Sequence, residues 1–179
     1  MTRGLRNGLI LAAIQLAIVG SLGGKLLADR ATCPRVWVRT APVDPNLPIR
    51  GRYVSLRLEI DRFEKMPPPI ERPGFPGGPN GRWWAEPKAV RLQVRDGRLS
   101  ATGSDVDTGV LGHVVRRGDR ESLALDPVAL FIPESMKDPS VRPAGEELWV
   151  EVTIPRRGGP RPIRLGVKKD GTLTPLSLP

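Results

Sequence analysis

The sequence predicts a mainly β protein, in which one N-terminal transmembrane helix is followed by a small β-sandwich or partly open β-barrel domain. Three observations predict it. Residues 8–24 carry no charge and, with Leu26 and Leu27, approach the roughly 20 apolar residues that a bilayer core of about 30 Å requires. The chain of 179 residues holds 20 Pro and 20 Gly, a composition that favours short strands joined by many turns. Several later segments alternate apolar and polar residues with period two, the mark of a strand buried on one face. The length beyond the helix suits one ordinary domain.

The first 30 residues read as a short cytoplasmic leader and an anchor helix. Arg3 and Arg6 precede the apolar run, and the positive-inside rule keeps them in the cytoplasm and sends the bulk of the chain across the membrane. Lys25 can snorkel to the interface. A cleavable signal peptide is the competing reading, with Ser21-Leu22-Gly23 as a weak small-x-small site. The anchor is preferred because the apolar run continues past that site to Leu27. Ala13, Ala17 and Ser21 recur every four residues beside Gly20 and Gly24, a small-residue face on which another helix can pack closely.

Residues 31–49 read as a juxtamembrane linker or short strand, with Val36 and Val38 alternating before Pro42, Pro45 and Pro48. Residues 50–179 form the β-domain. Its strongest strand signal is Gly51 to Ile60, where Val54, Leu56, Leu58 and Ile60 make one apolar face. Residues 66–81 hold six prolines and four glycines, so a mobile or polyproline-like loop without a strand ladder is expected. Trp83-Trp84 follows, either as core filler at the start of a strand or as an amphipathic anchor at the bilayer interface. Asp96-Gly97 and Asp170-Gly171 are hairpin turn signals, and Arg156 to Pro160 is a basic hairpin tip. The whole pattern suggests seven or eight strands.

The net charge of +9 does not point to nucleic acid. Residues 1–35 account for +4 of it through Arg3, Arg6, Lys25, Arg30 and Arg35 against Asp29, and the remainder is spread along presumed strands. No nucleic-acid motif is present. The basic residues near the helix suit membrane lipid as a partner. One cysteine, Cys33, excludes an internal disulfide and a cysteine-built metal site. Acylation is disfavoured by Arg30, three residues before it, where a lipoprotein signal has an apolar residue.

The residues offer little chemistry. His113 is the only histidine and lies on a predicted strand, so no base is placed against a nucleophile. Asp105, Asp107, Glu146 and Glu147 have no metal-ligand spacing. No catalytic residue, cofactor-binding residue or metal ligand is therefore assigned. Glu134 leaves a hydrophobic strand through Pro133, and its carboxylate is expected to accept hydrogen bonds from backbone N–H groups of residues 135–137. Arg156, Arg157, Arg161 and Arg164 are candidate contacts for an anionic ligand.

Gly51-Arg52-Tyr53-Val54-Ser55-Leu56-Arg57-Leu58 resembles the Gly-Asp-Tyr-x-x-Leu-x-Tyr motif of the GDYXXLXY family of bacterial membrane proteins, keeping Gly51, Tyr53 and Leu56 in order and spacing. Arg52 and Leu58 replace the motif's Asp and last Tyr. Phe131-Ile132-Pro133-Glu134 is similar to the family's later aromatic-hydrophobic-Pro-Glu element. The resemblance implies a protein of the bacterial inner membrane working beside multi-span membrane proteins, which with the anchor helix gives a single-pass protein whose C-terminal domain is extracytoplasmic. It brings no catalytic residue with it.

Three functions remain open at this point. A non-enzymatic accessory partner of an integral membrane protein is preferred. An exported hydrolase or peptidase-like β-domain is the second, on fold analogy alone. A binding module for an anionic envelope component is the third.

Overall fold

The computed structural model describes residues 3–42, 53–71, 83–117, 119–133, 135–136 and 138–177. It divides into two units, residues 1–33 and 34–179.

The first unit is a single helix, α1 (Arg3–Thr32), and its stretch Gly4–Thr32 is long and apolar enough to cross a membrane. Its apolar side chains are exposed, Leu16 at 74 % and Val19 at 69 %. The helix ends because Pro34 has no N–H to continue the bonding and disfavours helical geometry at the residue before it.

The second unit is built from strands. In chain order they are β1 (Arg35–Pro42), β2 (Tyr53–Ile60), β3 (Arg62–Glu64), β4 (Ile70–Glu71), β5 (Trp83–Trp84), β6 (Lys88–Arg95) and β7 (Arg98–Gly103). There follow β8 (Leu111–Arg117), β9 (Arg120–Leu125), β10 (Val128–Phe131), β11 (Glu146–Thr153), β12 (Arg161–Lys169) and β13 (Thr172–Pro175). All but β4 and β5 belong to one sheet in the order β13-β12-β11-β1-β2-β9-β8-β6-β7-β3, with β10 added on β2 beyond the end of β9. Among the described residues the end strands β13 and β3 do not pair, so the sheet is open.

One strand turns the sheet over on itself. The start of β6, Lys88–Ala89, pairs with β8, and the rest, Val90–Arg95, pairs with β7. This change of partner brings β7 across to meet β1 and β2. The enclosed core contains Leu56, Leu58, Val90, Leu123, Val150, Val152 and Leu165, all fully buried. The expected apolar face of β2 is the one that faces it.

Two expectations need correction. Thirteen strands exist among the described residues, against the seven or eight expected. Short strands such as β3 carry no local pattern and exist through long-range pairing, here parallel to β7. The proline-rich stretch also does contribute a ladder, because Ile70 and Glu71 pair with Trp84 and Trp83. Residues 72–82 of that loop lie outside the described residues.

The segment expected as linker or short strand is an interior strand. β1 lies between β11 and β2, and its Val36 and Val38 point into the core opposite Val152 and Val150. The Asp-Gly turns form as expected. Asp96 and Gly97 have φ of 51° and 67°, and Asp170 and Gly171 have 48° and 82°, which is the pair of positive values that a type I′ hairpin demands.

Candidate functional site

The face of the sheet turned away from the core carries charge at its centre. Because side chains alternate along a strand, Trp37 and Arg39 of β1, Glu59 of β2, and Glu147, Trp149 and Glu151 of β11 share that face. Arg39 is opposite Glu59 on one side and Trp149 on the other. Its Nη2 lies 2.7 Å from Glu59 Oε2 and 3.8 Å from Asp61 Oδ1, and its Nη1 lies 3.8 Å from Glu147 Oε1. Glu59 is buried, with its side chain only 3 % exposed, so the pair is largely removed from water.

Aromatic rings hold the neighbouring cations. Lys168 Nζ sits 4.7 Å from the Trp149 ring centroid, and the Arg164 guanidinium carbon 5.5 Å from that of Trp37. Trp149 Nε1 donates to Glu147 Oε2 at 3.1 Å, and Arg164 Nε donates to Glu151 Oε2 at 2.6 Å. Gly166 of β12 leaves room for Trp37, whose Cζ3 would lie 2.8 Å from any added Cβ. Arg120 closes the cluster by donating to Asp61 at 2.9 Å. Trp37, Arg39, Glu59, Asp61, Trp149 and Lys168, with Gly97 of the β6–β7 turn, line a cavity of about 520 Å³.

In this arrangement charges neutralise one another. Arg39 faces three carboxylates, and its Nε is buried without a hydrogen-bond partner among the described residues. No group of three or more His, Cys, Asp or Glu side chains among the described residues is placed to hold a metal ion.

The residues singled out in the sequence are distributed as follows. Tyr53 begins β2 half-buried, Leu56 is in the core, and Phe131 ends β10 at 68 % exposed. The two motif segments meet where Tyr53 of β2 is opposite Phe131, the last residue of β10, while Leu56 is opposite Val128. Gly51 and Glu134 lie outside the described residues. Beside the latter, the Pro133 carbonyl accepts the Met136 N–H at 3.1 Å, so one of the donors expected for Glu134 serves a backbone turn. Ala13, Ala17, Gly20, Ser21 and Gly24 are exposed on α1, and Ser21 Oγ donates to the Ile18 carbonyl of its own helix.

The four arginines separate. Arg156 and Arg157 are exposed on the β11–β12 tip, Arg161 opens β12 opposite Thr153, and Arg164 is committed to Glu151 and Trp37. Asp105 binds Lys88 at 2.9 Å, a hydrogen bond and charge that hold its carboxyl below the usual range, and Asp107 accepts the Gly109 N–H. Burial, and then the Arg57 cation, hold His113 below the ordinary imidazole value, with Asp126 acting in the opposite direction. Cys33 is a free, half-buried thiol.

Sequence reasoning missed the Arg39–Glu59 pair. Each residue alone reads as the polar half of an alternating strand, and only the pairing of β1 with β2 joins them.

The model of the family described as GDYXXLXY protein matches residues 15–178. The chain belongs to the GDYXXLXY family. Neither the curated proteins nor the solved structures contain a match to it. In this GDYXXLXY protein the matched region runs from within α1 past β13, and Tyr53 of the first motif segment pairs with Phe131 of the second.

Proposed function

We propose that this GDYXXLXY protein is a single-pass anchored protein of the bacterial inner membrane, whose extracytoplasmic β-domain serves as a non-enzymatic accessory partner of an integral membrane protein. The observation that carries this reading is α1, whose stretch Gly4–Thr32 is long and apolar enough to cross a membrane and whose apolar side chains are exposed. Such a helix is stable in hydrocarbon, where its backbone bonds are satisfied internally. Arg3 and Arg6 at its start favour a cytoplasmic N-terminus. Its small-residue face at Ala13, Ala17, Gly20, Ser21 and Gly24 suits close packing on a second helix. On the β-domain, the charged cluster supports a structural role, because Arg39 and Arg120 already answer the carboxylates Glu59 and Asp61.

Crosslinking in intact membranes, followed by purification of the full chain, tests the proposal. A specific integral membrane protein should be captured, and Ala17→Leu with Gly20→Leu should reduce its recovery at unchanged expression. Capture that is unaffected by the helix variant and lost with a β-domain surface variant would overturn the helix-packing part. Recovery of the chain from the soluble fraction would overturn the whole.

A further inference from the structure

The β-domain begins at Pro34, the residue after Cys33. The Cys33 N–H donates to the Asp29 carbonyl at 2.9 Å, in helical fashion, and the carbonyl of the next residue, Pro34, accepts the Ile154 N–H at 3.0 Å. Ile154 follows directly on β11 and leads into the basic tip. At no more than about 3.6 Å per residue, the Cα of Arg156 lies within roughly 7 Å of Ile154 and that of Arg157 within roughly 11 Å. The basic tip is therefore tied through Ile154 to Pro34, the first residue of the β-domain.

Neither arginine is engaged with a carboxylate among the described residues, and both are exposed. They border a second cavity, of about 770 Å³, whose wall includes Pro34, Arg91, Leu92, Val106 and Ile154. Val106 is 69 % exposed there. The carboxylate in that wall, Asp107, is turned onto the Gly109 N–H at 2.8 Å. A cationic rim around an apolar wall fits an amphipathic anion. Guanidinium forks match phosphate oxygens in pairs, and the aliphatic wall suits the glycerol and upper acyl carbons next to that phosphate.

We infer that the cavity beside Pro34 and the Arg156–Arg157 tip bind the phosphate of an acidic phospholipid in the membrane that α1 crosses. This rests on the reading of α1 as a membrane anchor. Bound lipid would brace the tip against the bilayer and fix how the β-domain is presented to a partner.

The full chain is reconstituted in nanodiscs of phosphatidylcholine alone or mixed with phosphatidylglycerol, and backbone amide exchange is followed at residues 156–159. The site predicts exchange slower by roughly tenfold or more in the phosphatidylglycerol discs, from two cations at an anionic surface. Arg156→Glu with Arg157→Glu should abolish that protection, and the corresponding double lysine variant should keep most of it. Equal exchange in the two discs overturns the site. Full protection by soluble glycerol phosphate in phosphatidylcholine discs overturns the lipid assignment in favour of a free phosphate. Failure to enter either disc, seen as separate elution, overturns the anchor reading beneath it.

Discussion

Tyr53 on β2 lies directly opposite Phe131 on β10, with ring centroids 6.3 Å apart and planes tilted by 58°. The pairing joins the two segments that carry the family resemblance, although 77 residues lie between Tyr53 and Phe131 in the sequence. It also places an exposed aromatic edge on the face away from the core, because the alternate residues Val54 and Leu130 point inward. Cross-strand aromatic pairs stabilise a sheet by about 0.5–1 kcal/mol beyond their separate burial. A double-mutant cycle with Tyr53→Ala and Phe131→Ala should return a coupling of that size in chemical denaturation. Tryptophan fluorescence is a suitable signal, since all four tryptophans lie in the β-domain. Strict additivity would show that the rings do not support each other.

The Arg39–Glu59 pair makes a stronger prediction. Removing one partner leaves the other charge buried, a loss of about 3–5 kcal/mol in comparable pairs. Glu59→Ala and Arg39→Ala should each destabilise the fold by that amount. Replacing both, as Arg39→Met with Glu59→Leu, should recover most of the loss, because an apolar pair incurs no charge desolvation. A double variant as unstable as the two singles combined would mean that Arg39 and Glu59 do not depend on each other as the geometry indicates.

These two relationships mark the limit of what was legible. The alternation of Val54, Leu56, Leu58 and Ile60 revealed β2 and its buried face, because that pattern is local. The Asp96-Gly97 turn was legible for the same reason, since few dipeptides tolerate two positive φ values. β1 was read as linker or short strand, and nothing local could show that it is held on both sides by β2 and β11. Arg39 and Glu59 looked like solvated strand residues until that pairing placed them together. β3 and β4 are not legible because strands of two or three residues have no periodicity to detect.

His113 gives the domain a pH dependence of known sign. Its pKa is lowered in the folded state, so the unfolded chain takes up its proton first as the pH falls. The stability associated with the neutral ring is fully present above the unfolded imidazole value of about 6.5, and is lost as the pH falls through the lower folded value. Denaturation midpoints should therefore decline between neutral and mildly acid pH, and His113→Gln should flatten that part of the profile. An unchanged slope in the variant would assign the effect to other groups.

Gly97 tests the turn. Its φ is +67°, and an added Cβ would meet no atom within 4 Å, so Gly97→Ala isolates the backbone penalty. A loss of about 1–2 kcal/mol is expected from the left-handed conformation alone. No loss at all would mean that the β6–β7 turn can adopt another form without disturbing the cavity it borders.

The central claim is that α1 remains in the membrane with the β-domain outside the cytoplasm. The most direct measurement fuses to Pro179 an enzyme reporter that is active only outside the cytoplasm, and determines the intact mass of the membrane-extracted chain. The account predicts an active reporter on a chain that still contains Arg3 and Arg6. An inactive reporter, or a mature chain beginning near Gly24, would contradict it.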